Sequence, residues 1–233
     1  MYSRKPPEFM TARLKMDADL PKLVHGPQAY LARVDPVLAS VMEVIGPLST
    51  SRPKGMFQSL ARSIVSQQLA KQAAIAILAR LDELLPESGL EPAAVVRLGE
   101  ERLRKVGLSR SKASYLIELA RRVAKNQLDL RSIADLAEDQ VRELLLQEAG
   151  VGPWTVDMFL IFELQRPDVF PSTDVAIKRA MIAAYELHPG CAGSELAALA
   201  ENWRPYRSVA SRYLYAYLDR GLARLAVGRS RSG

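Results

Sequence analysis

Apolar residues recur every three or four positions along most of this chain, and strictly alternating runs are nearly absent. That spacing gathers them on single helix faces, so the expected fold is all-α. Phe57, Leu60, Ile64 and Val65 mark the inner face of a helix from about Met56 to Leu69. Ala73, Ile77 and Leu81 do the same for a second helix, from about Ala70 to Leu85. Gly26-Pro27 opens a helix that Asp35-Pro36 interrupts and restarts, and it runs to Ile45. Pro47 to Gly55 (PLSTSRPKG) is rich in turn formers and is the expected boundary. A short helix follows Pro92. Residues 102–123 then read as helix, Val-Gly turn, Ser/Arg/Lys loop and helix. Beyond the break at Arg166-Pro167-Asp168, helices are expected from Val175 to Glu186, Ser194 to Trp203 and Tyr206 to Leu225. Three segments result. An N-terminal one, 1–49, is expected to pack with a C-terminal subdomain, 166–233, and 50–165 forms a helical core.

The sharpest local feature lies at 148–155, Glu-Ala-Gly-Val-Gly-Pro-Trp-Thr. Val141 to Gln147 approaches it with helical spacing, and Trp154 to Leu164 leaves it the same way. Glycines in so tight a turn let backbone approach a partner where a Cβ would clash. Backbone N–H groups there and at the next helix start can face a phosphate. Helix–Gly-Val-Gly–helix, over about 141–164, resembles the helix-hairpin-helix, a clamp on the DNA backbone that reads no sequence. An ordinary tight connection between packed helices would use the same residues, so the motif alone leaves both readings open. The 102–123 stretch echoes it, suggesting a second hairpin of similar shape.

Charge sharpens this picture. The net charge is +6, with the excess concentrated in Arg97 to Arg122 and from Arg204 onward. A basic balance of this kind suits a polyanionic partner, nucleic acid first. No apolar run approaches the roughly 18 residues of a membrane span, and no signal peptide is expected. The single cysteine, Cys191, rules out a four-cysteine iron–sulfur cluster and fits a reducing cytosol or nucleus. Two histidines, His25 and His188, make a histidine-based metal site a poor expectation.

Past the hairpin stand Trp154 and Thr155. Some 20 residues later comes Phe170-Pro171-Ser172-Thr173-Asp174-Val175-Ala176-Ile177-Lys178. With Ser66-Gln67-Gln68 upstream and Trp203-Arg204-Pro205-Tyr206-Arg207-Ser208 downstream, the chain resembles the helix-hairpin-helix/Gly-Pro-Asp superfamily of DNA base-excision glycosylases. The resemblance spans about 50–225 and is to the 3-methyladenine DNA glycosylase II branch in particular, in a short form without an N-terminal β domain. It implies two helical subdomains with a DNA- and base-binding cleft between them, acting as a monomer on double-stranded DNA with damaged bases. Strand-cutting members carry a Schiff-base lysine two residues beyond the second hairpin glycine. Here that position is Trp154, so a covalent lyase route loses its nucleophile.

The resemblance also implies roles. Breaking an N-glycosidic bond builds positive charge on the sugar, which a fixed carboxylate stabilises; Asp174 matches the family's catalytic aspartate. Ser-Thr-Asp before an apolar helix is equally a good N-cap in any protein. A base must be flipped out of the duplex and its hole filled, and Gln68, with Gln67 beside it, matches the wedge. Trp154, Tyr215 and Met158 are candidate walls of a pocket for cationic or electron-poor alkylated purines. Phe57, Phe159, Phe162 and Trp203 read as core. Gly150, Val151, Gly152 and Thr155 are candidate phosphate contacts of the hairpin, and Lys178, Arg179, Arg110 and Lys112 are candidate basic ones. A Na⁺ or K⁺ at the hairpin carbonyls near Glu148 is implied by the family alone; no other cofactor is expected. Two alternatives stand beside this reading: a non-catalytic DNA-binding module, and a sibling glycosylase for oxidised or mismatched bases.

Overall fold

The computed structural model describes residues 26–48 and 53–222; its regular elements there are all helical, and no helix is long and apolar enough to cross a membrane. The polar first 20 residues, His25, part of the Pro47–Gly55 break and the tail with Arg224, Arg229 and Arg231 lie outside the described residues. In chain order the helices are α1 (Pro27–Val34), α2 (Pro36–Ile45), α3 (Met56–Ser66), α4 (Lys71–Asp82), α5 (Pro92–Lys105) and α6 (Arg110–Ala124). They continue with α7 (Glu138–Leu146), α8 (Pro153–Met158), α9 (Val175–Ala184), α10 (Gly193–Ala200) and α11 (Arg207–Asp219). The described residues fall into two compact units, one within 51–165 and one drawn from 1–50 and 166–233.

In the unit that joins both ends of the chain, α11 packs against α9, α2 and α1. Leu31, Leu38, Val41, Ile177, Met181 and Leu214 fill the space between them with Trp203, which is fully buried. A polar hub sits within this apolar core. Asp35 begins α2, and its Oδ1 accepts the Leu38 N–H at 2.9 Å, an N-cap. Its Oδ2 accepts the Tyr185 hydroxyl and the Trp203 indole N–H, each at 2.7 Å. Burial, and then Asp35 beside it, hold the Tyr185 hydroxyl well above the usual tyrosine range. Helices from both ends of the chain are therefore fastened by one carboxylate.

In the other unit α5 and α6 form the most extensive helix pair, and α3 lies against α6, α4, α8 and the turn after α8. Val106 and Gly107 join α5 to α6, so the expected echo of the main hairpin is a real helix–turn–helix. Gly107 sits at φ +111°, where a Cβ would press on Ile77 and Arg80. Three details differ from the spacing-based expectation. Helix α3 stops at Ser66 rather than Leu69, because Gln67 leaves the helical region at ψ 137° and Gln68, at φ 54°, completes a turn that returns the Leu69 N–H to the Ser66 carbonyl. Ala74, not Ala73, joins Ile77 and Leu81 inside α4. The helix leaving the main hairpin widens after Met158 into a π turn, Phe159–Glu163. That turn aims the buried Glu163 carboxylate at the N–H groups of Lys54 and Gly55, both at 3.0 Å, just ahead of α3.

Asp35→Ala removes a cap and leaves two buried donors without an acceptor. It is expected to cost about 3 kcal/mol, read as a lower urea midpoint. Trp203→Phe, which leaves the carboxylate its other two bonds, should cost less of the hub's polar bonding though more packing volume, and should keep the Leu38 cap intact.

Candidate functional site

The hairpin of α7 and α8 is built by its own backbone and braced from behind. Val151 donates its N–H to the Glu148 carbonyl at 3.0 Å, closing the turn. Gly150 stands at φ +82°, and a Cβ there would lie 2.6 Å from Cγ of Tyr115. Both facts require glycine. Gly152 differs: its φ is −102°, and a Cβ would meet no atom within 4 Å. The protein's own packing does not demand glycine at 152. Among the described residues the N–H groups of Gly150 and Gly152 make no hydrogen bond within the chain. Arg142 ties the two helices, pairing with Asp157 and Glu138 at 2.8 Å each. Arg122 lies 3.3 Å from the buried Glu148 carboxylate, whose pKa burial still pushes upward.

Several residues expected to touch DNA turn inward instead. The Gln67 amide donates to the Gly150 carbonyl and to Thr155 Oγ1, each at 2.8 Å. Gln67 is thus a brace between α3 and the hairpin, not part of a wedge, and the fully buried Thr155 side chain is its acceptor rather than a phosphate contact. Val151 has its N–H spent in the turn and its side chain buried, which removes it from the phosphate-binding set. The Lys112 ammonium donates to the carbonyls of Val65 (2.8 Å) and Gln67, where α3 ends. A cation at a helix C-terminus satisfies carbonyls the helix cannot. Partial burial lowers its pKa. Arg110 stays exposed, 3.6 Å from Glu100.

What these braces hold up is the exposed Gln68, next along the chain from Gln67. On α8, Trp154 and Met158 lie one turn apart on the partly exposed face, while Thr155, Val156 and Asp157 are buried. Phe57 and Phe159 are buried, as expected of core residues, and Phe162 is half-buried.

The other unit carries the carboxylate. Asp174 is the N-cap of α9: its Oδ1 accepts the N–H groups of Ala176 (2.6 Å) and Ile177 (3.0 Å). Its Oδ2 accepts the Tyr215 hydroxyl at 2.9 Å. So the cap reading and a functional reading describe the same buried side chain. One turn on, Arg179 is exposed and Lys178 half-buried. The segment entering Asp174 is strapped to the start of α11. Arg207 pairs with Asp168 at 2.8 Å and Arg204 reaches the same carboxylate at 2.8 Å. Ser208 donates its N–H to the Pro167 carbonyl at 3.0 Å, and its hydroxyl accepts the Val169 N–H at 2.9 Å. Phe170 meets the Trp203 ring edge-on, 6.0 Å between centroids. The Trp203–Ser208 run is thus a fastening for the chain that leads into Asp174.

The sequence profile of the HhH-GPD superfamily base excision DNA repair proteins matches residues 61–205, a stretch that includes the hairpin and Asp174. This chain belongs to that superfamily. DNA-3-methyladenine glycosylase 1 of Schizosaccharomyces pombe is 27% identical over 193 residues, 81% of this chain and 85% of that protein. The structure of the S. pombe 3-methyladenine DNA glycosylase in complex with abasic-DNA superposes with a TM-score of 0.75 at 26% identity, covering 81% of this chain and 94% of that one. A DNA-3-methyladenine glycosidase from Bacillus halodurans superposes with a TM-score of 0.70 at 30% identity, covering 83% of this chain and 89% of that one. A shorter match, 32% identical over 129 residues, is to the Bacillus subtilis protein YfjP; there the aligned region is 55% of this chain and 45% of the relative's length.

Among the described residues of this HhH-GPD protein, no group of three His, Cys, Asp or Glu side chains could hold a metal ion. Tyr115, Lys112 and Glu163 are the residues that sequence reading missed or misassigned here. Only the Gly150 requirement hinted at a bulky neighbour.

The two hairpin glycines should separate on substitution. Gly150→Ala is expected to destabilise the fold by about 2 kcal/mol or more, seen in thermal or urea unfolding. Gly152→Ala should leave the melting temperature within a degree or two while weakening binding to duplex DNA in a fluorescence-anisotropy titration.

Proposed function

We propose that this chain is a monofunctional DNA glycosylase that hydrolyses the N-glycosidic bond of alkylated purines, such as 3-methyladenine and 7-methylguanine, in base excision repair. The observation that carries the reading is Asp174, a buried carboxylate with donors on both oxygens, at the start of α9 in an HhH-GPD chain. The named activities of the S. pombe and B. halodurans relatives support the substrate class.

In the proposed mechanism the N-glycosidic bond breaks with its electron pair leaving on the purine. Positive charge gathers on the deoxyribose, and the fixed Asp174 carboxylate stabilises it. Water then adds to C1′, and its proton passes to solvent. A cationic alkylpurine is already a good leaving group, so no strong general acid is needed. Trp154 and Met158 receive the flipped base, the indole face favouring electron-poor purines by stacking and cation–π attraction. Gln68 fills the space the flipped nucleotide vacates, its exposed amide able to hydrogen-bond the widowed base. The Gly150 and Gly152 amides grip a backbone phosphate, and Arg179 and Lys178 supply further positive charge. With an indole at 154, the position of the family's Schiff-base lysine holds no amine, so strand cleavage is not part of the proposed reaction. The Glu148 carbonyl accepts one N–H and keeps a second lone pair, which suits a Na⁺ or K⁺ at the hairpin. Such an ion would add positive charge beside the bound phosphate.

Asp174→Asn tests this cleanly, because asparagine caps a helix about as well as aspartate. The variant should keep its melting temperature and its affinity for abasic-site DNA while losing at least a hundredfold in excision. Near-normal turnover would refute the assignment. On a panel of lesion duplexes, strands should break only after alkali. Gln68→Ala should weaken binding to an abasic-site duplex more than binding to undamaged duplex.

A further inference from the structure

The Asp174 carboxylate is held by two different elements. Its Oδ1 is bonded by the amides of Ala176 and Ile177, which belong to the helix it caps. Both of those bonds fall on one oxygen, about which the carboxylate can still pivot through coupled changes in its two side-chain torsions. The Tyr215 hydroxyl meets the other oxygen at 2.9 Å, and Tyr215 stands on α11. Two turns earlier on the same helix, Arg207 and Ser208 hold residues 167–169, the strap that leads into Asp174. One helix therefore sets both the height of the aspartate's loop and the rotation of its carboxylate.

On the reading of Asp174 given above, we infer that Tyr215 is a positioning residue whose hydroxyl orients the catalytic carboxylate, rather than a wall that stacks on the base. A carboxylate that is already oriented needs no reorganisation as charge develops on the sugar, which is where preorganised groups act most strongly. A hydroxyl donating to a carboxylate is also among the stronger single hydrogen bonds.

The test separates the hydroxyl from the ring. Tyr215→Phe keeps the ring and removes the donor; Tyr215→Leu removes both. Single-turnover excision of 7-methylguanine at saturating enzyme, affinity for an abasic-site duplex and melting temperature would be measured for each. Tyr215→Phe is expected to excise about tenfold more slowly, with abasic-DNA affinity within twofold of wild type. Tyr215→Leu should be little slower than Tyr215→Phe. A wild-type rate in Tyr215→Phe, with loss only in Tyr215→Leu, overturns the inference in favour of a stacking wall. Asp174→Asn run alongside tells the two claims apart. An active Asp174→Asn defeats the reading of the aspartate itself, whereas an inactive one beside a fully active Tyr215→Phe defeats only the role given to Tyr215.

Discussion

A helix start leaves several amide N–H groups without partners inside the helix, and in a chain made almost wholly of helices that need recurs at every turn. Here buried carboxylates meet it at the places that matter most. Asp35 serves α2 while collecting Tyr185 and Trp203. Glu163 reaches the amides just before α3. Asp174 serves α9 and keeps an oxygen for Tyr215. Each carboxylate is surrounded by donors, and each joins segments far apart in sequence. Asp174, the carboxylate proposed for catalysis, is held by the same device that the fold uses elsewhere for support alone.

The polar residues around the hairpin divide by destination. Gln67, Lys112, Thr155 and Arg142 are spent on the protein itself, closing α3 and α8 against the turn. Gln68, the Gly152 amide and Trp154 face outward to differing degrees. A wedge pressed into stacked bases must resist a reaction force. In the wedge role proposed for it, the exposed Gln68 follows directly on a residue locked to Gly150, so force on it would pass into the hairpin rather than into a loose loop.

Helical spacing made the elements legible, because burying one face is a local property of consecutive residues. Phe57, Leu60, Ile64 and Val65 are all buried on α3, and the hairpin and its echo at Val106-Gly107 both exist. The ends of elements were less legible. Nothing local to Ser66-Gln67-Gln68-Leu69 says that Gln67 turns extended, Gln68 takes a positive φ and α3 ends early. The partners of polar side chains were least legible of all. Gln67 and Gly150 are 83 residues apart, and Glu163 and Lys54 are 109 apart. A glutamine at a helix end looks the same in sequence whether it faces DNA or a neighbouring turn. The order of motifs was enough to point to the superfamily, whose profile spans the hairpin and Asp174, whereas the Tyr215 hydroxyl bond depends on how α11 lies.

The two glycines of the hairpin answer to different masters. Gly150 is held in place by Tyr115 and by its own backbone angle, while nothing inside the protein crowds Gly152. A descendant of this chain that stopped gripping DNA would still have to keep the first, on pain of misfolding, and could let the second drift to alanine or serine. Within a lineage, position 152 is therefore the one whose side chain would record whether the proposed clamp is still in service.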